Sequence, residues 1–136
     1  MDRTPKPDES HGQDSFGRVS AIVERLERRP PDADGSSPTV ADLRDGIDLL
    51  DQAILELLNK RVVYATIIGK LKKSVGAPVY VPKREADVLE NVRSSNRGPL
   101  HDDAVKRLFE RIIDETRSLE RKNYQDVETP SKGSGR

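Results

Sequence analysis

Between Val40 and Ala77 the chain carries no proline, and apolar residues recur at Leu43, Ile47, Leu50, Ile54, Leu57, Tyr64, Ile68 and Leu71. That nearly strict alternation of three and four predicts one long helix. Thr39 suits its N-cap, and the cluster Ser74-Val75-Gly76-Ala77-Pro78 ends it. Gly46 and Gly69 each weaken such a helix by about 1 kcal/mol relative to Ala without breaking it. A helix from Val40 to Lys73 is a rod of about 50 Å, whereas a compact domain of this size has a radius of gyration of about 12 Å. The rest of one chain cannot cover that rod. Its length therefore predicts a partner helix along the apolar seam, most simply an identical one in a two-fold homodimer.

The remaining punctuation is also helical. Pro82 suits a first helical position, and a second helix is expected to run through Val88, Leu89 and Val92 to a stop at Asn96-Arg97-Gly98. A third begins at Asp102 or Asp103 and carries Val105, Leu108, Phe109, Ile112, Ile113, Thr116 and Leu119 toward Tyr124. No segment alternates as a strand does, so residues 40–125 read as an all-α domain of three helices, the first one long. Residues 1–39 hold five of the nine prolines (Pro5, Pro7, Pro30, Pro31 and Pro38) and read as a disordered polar arm. Within it, Phe16, Val19, Ile22, Val23 and Leu26 suit a short amphipathic helix over residues 15–28. Residues 126–136 read as a flexible tail.

Composition removes most familiar chemistries. There is no cysteine, and the two histidines lie ninety positions apart, so thiolate and His-based metal sites and a Ser-His-Asp triad are not expected. With 24 Lys+Arg against 24 Asp+Glu, no electrostatic argument favours nucleic acid or an anionic membrane. No run approaches the ~18 apolar residues of a membrane span, and Met1 to Ser10 lacks a signal peptide's pattern. The expectation is a cytoplasmic protein that uses no metal and no cofactor.

The 3,4 rhythm from Leu57 to Tyr64 calls for an apolar residue at position 61, and the chain places Arg61 there. Burying an unpaired guanidinium is costly. Lys72 follows eleven residues later, three turns on, within roughly 20° of the same face. On the third helix Thr116 and Glu120 form an i, i+4 pair beside Ile112 and Leu119. Arg84 and Glu85 open the second. Singly, each has an ordinary reading: Arg61 pairs structurally with Glu120 or Glu56, and Arg84/Glu85 face solvent. Together, polar groups from three helices converging on an apolar interior describe a pocket for a small anion.

The ordered set Leu43-Arg44, Ile47, Leu50-Asp51, Leu57-Leu58, Lys60-Arg61, Gly69-Lys70-Leu71-Lys72, Pro78-Val79, Arg84-Glu85, Leu108-Phe109 and Ile112-Ile113 closely resembles the all-α class of chorismate mutases, over about residues 40–124. The resemblance implies three helices per chain in an intertwined dimer with two active sites. It also implies the cofactor-free [3,3] rearrangement of chorismate to prephenate, in the aromatic amino-acid branch of the shikimate pathway. In that reaction the ether C–O bond breaks and negative charge gathers on its oxygen, so the protein holds a folded conformer and stabilises that charge. By resemblance, Arg61 and Arg44 hold the two carboxylates, with Arg44 from the other subunit. Lys72 contacts a carboxylate and the ether oxygen, Arg84 adds positive charge, and Glu85 accepts from the ring hydroxyl. Arg44 and Arg61 are about 25 Å apart along one rod, which agrees with their serving different sites.

Two positions depart from the common bacterial pattern. Val81 stands where an aspartate is usual, leaving only its backbone N–H for the substrate hydroxyl. Glu120 stands where a glutamine commonly donates to the ether oxygen, so its carboxyl must be protonated to donate. Burial beside Ile112 and Leu119 raises its pKa and Lys72 lowers it; residue order alone does not say which prevails. The alternatives are an isochorismate-pyruvate lyase or an aminodeoxychorismate mutase of the same fold, or a non-catalytic helical dimerisation module whose seam arginine sets register. Residues 80–90 also resemble mutase domains fused to further pathway enzymes; no such domain follows here, so a stand-alone mutase is expected.

Overall fold

A computed structural model describes the backbone of residues 10–28 and 37–128, with side chains over 15–28 and 37–122. The remainder of the arm expected to be disordered, and of the expected tail, lies outside these residues. The chain divides into two compact units, Met1–Val63 and Tyr64–Arg136. Its elements are α1 (Ser10–Arg28), α2 (Val40–Ser74), α3 (Pro82–Ser95) and α4 (Asp102–Glu128), with no strand among the described residues.

The described residues thus form four helices, one more than the three expected of the domain. The extra one is the amphipathic stretch of the arm, which begins at Ser10, five residues before the expected start. It finds a surface in the first unit. Arg18 Nη1 lies 2.9 Å from Glu56 Oε1, and Lys60 Nζ sits 5.1 Å from the centroid of the Phe16 ring. Arg18 and Ile22 are one turn apart on α1, as Ala53, Glu56 and Lys60 are on α2, and both Ile22 and Ala53 are buried. The partly covered apolar face is the physical reason a polar, proline-flanked segment stays helical.

Helix α2 starts where its punctuation says. Asp42 N–H donates to Thr39 Oγ1 and Thr39 N–H donates to Asp42 Oδ2, each at 3.1 Å, a reciprocal cap that satisfies two donors at the helix start. The seam carried by the first unit stays open among the described residues: Leu43, Ile47, Leu50, Ile54 and Leu57 are between 46% and 53% exposed. An apolar stripe of that length is the kind of surface that proteins bury in assemblies.

In the second unit α2 ends in a left-handed glycine. Gly76 has φ +68°, its N–H donates to Lys73 O at 3.2 Å, and Ala77 N–H donates to Lys72 O at 2.9 Å. This 6→1 and 5→2 pair satisfies the last carbonyls, and a side chain at Gly76 would strain that φ. Val81, extended at φ −127° and ψ 100°, precedes Pro82 and caps α3 without a side-chain bond. Asn96 then organises the α3–α4 connection. Its Nδ2 donates to Leu100 O and to Asp102 Oδ1, both at 2.8 Å, and its Oδ1 accepts from Gly98 N–H at 3.1 Å. Asp102 and Asp103 open α4, where negative charge suits the helix dipole. Helix α3 packs on α4, with Val105 buried, while Tyr64, Ile68 and Leu71 of the seam stay 52–63% exposed. No helix among the described residues is long and apolar enough to cross a membrane.

Candidate active site

Six of the eight residues singled out from sequence lie in the second unit: Lys72, Val81, Arg84, Glu85, Thr116 and Glu120. Arg44 and Arg61 belong to the first unit, Arg44 exposed and Arg61 half-buried.

Lys72 sits in the last turn of α2, two residues before its end at Ser74, and Glu120 lies in the second half of α4. The Lys72 charge acts on the Glu120 carboxyl through space. Burial raises the Glu120 carboxyl above the usual carboxylate range, and the positive charges of Lys72 and Arg117 pull against that shift without cancelling it. Such a carboxyl keeps its proton to a higher pH than a solvated one, and when protonated it has an O–H to donate within electrostatic range of a lysine.

One turn before Glu120, Thr116 is 8% exposed and its hydroxyl donates to Ile112 O at 2.9 Å. The backbone of its own helix therefore holds the rotor, and the oxygen's lone pairs face the remaining surroundings. Across the interhelix seam, Val81 O accepts the N–H groups of Arg84 at 3.0 Å and Glu85 at 3.4 Å. That capping turn sets both side chains in the first turn of α3. Arg84 is exposed. Glu85 is half-buried and is not solitary, because Arg117 Nη2 hydrogen bonds to its Oε1.

Arg117 is the residue that sequence reasoning passed over. Its guanidinium also lies over Tyr80, 4.6 Å from the ring centroid. Tyr80, Glu85, Leu89, Ile113, Asp114 and Arg117 border an open hollow of about 290 Å³ between α3 and α4. One signal was available: Arg117 is i+4 from Ile113 and i−3 from Glu120, on the same side of α4. Arg107 and Arg121 of the same helix are exposed.

A family model, chorismate mutase type II, matches residues 43–121, more than half of the chain. The bifunctional chorismate mutase/prephenate dehydratase of Neisseria gonorrhoeae is 46% identical over 78 residues, covering 57% of this chain and 21% of that protein. The protein of the same description from Aquifex aeolicus is 35% identical over 85 residues, 60% of this chain and 24% of its own. The chain thus spans about a quarter or less of these relatives. Among solved structures, a chorismate mutase (Form II) from Thermus thermophilus is similar at a TM-score of 0.59 and 34% identity, over 60% of this chain and 93% of that one.

Proposed function

The chain belongs to the chorismate mutase type II family, and from that premise we propose that it converts chorismate to prephenate in aromatic amino-acid biosynthesis. The observation that carries the reading is the match to the family over residues 43–121, and the half-buried Glu120 within electrostatic range of Lys72 is in keeping with it. The rearrangement needs no nucleophile. The ether C–O bond breaks as a C–C bond forms within one molecule, and the electron density left on the ether oxygen is what the protein must stabilise. Lys72 supplies a cation and protonated Glu120 an O–H to that oxygen. An ionised Glu120 would oppose the same charge. Arg44 and Arg61 grip the two substrate carboxylates through charge-assisted bonds. Arg84 adds positive potential, Glu85 accepts from the ring hydroxyl, and Thr116 and the Val81 backbone N–H complete the polar lining.

The acting species is a homodimer with two composite sites, Arg44 coming from the second subunit. Support comes from the half-exposed stripe of α2, which an identical helix would bury, and from the ~25 Å that separates Arg44 from Arg61 along a helix. Nucleic acid and membranes have no part in this reading, and the cytoplasm is the proposed setting of the reaction.

The test is direct. Incubation with chorismate should consume it and form prephenate; no loss of chorismate under conditions where the chain is folded and dimeric would overturn the assignment. Parallel incubations with isochorismate, followed for salicylate, and with aminodeoxychorismate separate the other chemistries of this fold.

A further inference from the structure

Among the described residues, Arg117 joins α3 to α4 through a side-chain hydrogen bond, and the chemistry above gives it no task. Its Nη2 hydrogen bonds to Glu85 Oε1, and its ring contact with Tyr80 spans 4.6 Å. An edge bond and a face contact together fix a planar cation in one orientation, which a lysine ammonium cannot reproduce. Both side chains of the Arg117–Glu85 pair are 28% exposed. The same-helix pairs Arg93–Glu90 and Arg111–Glu115 are far more open, at 51%/62% and 77%/62%. Open pairs within one helix contribute little; a half-buried pair between two helices has a more definite geometry.

We propose that Arg117 is a positioning residue of the active site, holding the Glu85 carboxylate at one place on α3 and adding positive charge to the side of α4 that carries Glu120. The inference rests on the roles proposed above for Glu85 and Glu120. Glu85 must present a lone pair to a hydroxyl while its long side chain could adopt several rotamers. A guanidinium anchored on Tyr80 restricts that choice and leaves the carboxylate further acceptor sites, since an ionised carboxyl offers about four. Glu120 feels two cations, Lys72 from α2 and Arg117 from its own helix. Arg117 in turn faces Glu85 from α3, Tyr80 from the α2–α3 connection and Asp114 from α4. Removing its charge therefore loosens Glu85 and raises the Glu120 pKa further, two consequences that different measurements separate.

The experiment uses the full chain. Chorismate turnover is measured across pH for the wild type, Arg117→Met, Arg117→Lys, Glu85→Ala and the Glu85→Ala/Arg117→Met double variant. In parallel, protein labelled with 13C-glutamate is titrated, the Glu120 carboxyl signal being assigned by its loss in Glu120→Gln. Arg117→Met should lower kcat/KM about 10-fold, a cost in keeping with misplacing a group that orients substrate. In the Glu85→Ala background the same change should cost less than about 2-fold. The Glu120 signal and the alkaline limb of kcat/KM should both move to higher pH in Arg117→Met, and stay near their wild-type positions in Arg117→Lys, which keeps the charge but recovers only part of the rate. Should the Met variant fail to fold, Arg117→Gln gives the same comparison. Equal losses in both Glu85 backgrounds, or an unmoved Glu120 titration, would overturn the role. A wild-type chain that leaves chorismate unchanged overturns the proposed function and this role together, whereas an active wild type with an unaltered Arg117→Met overturns this role alone.

Discussion

Glu120 of α4 feels the positive charge of Lys72 of α2, yet its carboxyl is held above its usual pKa, because burial outweighs the attraction of the lysine and of Arg117. A simple ion pair would have the opposite bias. The two residues lie 48 positions apart in sequence, on different helices.

Since protonated Glu120 is the donor in the proposed reaction, kcat/KM should fall tenfold for each pH unit above its pKa in the free enzyme. A bound dianionic substrate raises that pKa further, so the limb of kcat should lie at higher pH than that of kcat/KM. Glu120→Gln donates at every pH and should stay active with the alkaline limb flattened, while Glu120→Ala should be slow throughout. A wild-type profile level from about pH 5 to 9, and unchanged in the Gln variant, would remove Glu120 from the ether oxygen.

The same shift has a consequence for stability, read by thermal melting at fixed protein concentration. The folded pKa exceeds the unfolded one, so folding is helped below the ordinary carboxyl range and that help is lost as pH rises through the folded value. Glu120→Gln should therefore melt higher than wild type at pH 8, with the gap closing at pH 4. A gap that widened toward acid would reverse the sign and with it the account of Glu120's burial.

Arg61→Ala and Lys72→Ala should each lower kcat/KM by at least ~100-fold, the loss of a charge-assisted contact worth about 2–4 kcal/mol in a water-poor site. Arg107→Ala and Arg121→Ala, both exposed on α4, should stay within about 2-fold. Steady-state kinetics of the four variants checks this; similar losses in all of them would mean that the pocket is wrongly placed.

Arg44→Ala and Lys72→Ala are each expected to be inactive alone. Mixed and allowed to exchange subunits, they should regain activity, because one of the two sites in the heterodimer then has all its groups. Sedimentation alongside the assay should show a dimer. Full activity in a species that sediments as a monomer would end the composite-site reading.

Thr39→Ala removes the side chain that accepts from Asp42 N–H, and should cost about 1 kcal/mol of stability, whereas Thr39→Ser should cost much less. Urea unfolding measures both. A lowered midpoint at constant slope is the expected result, and no change in midpoint would mean that the cap is replaced by water without loss.

The helices were legible because their signals are local. Thr39 and Asp42, Gly76, Pro82 and Asn96 each act on backbone within a few residues, and the 3,4 spacing of Leu43 to Leu71 needs only helical geometry to define a face. The helical face of the arm was legible too, but not the surface it would meet: Glu56 and Lys60, which take Arg18 and Phe16, lie some forty residues away. The same limit hid Arg117: its charge was plain, but its bond to Glu85 spans 32 positions and forms only because α3 folds back on α4. At Glu120 the residue order named both opposing influences, desolvation and Lys72. Which one prevailed was decided by tertiary structure alone, since desolvation depends on how much protein surrounds the carboxyl, a quantity that packing sets and neighbours in sequence do not.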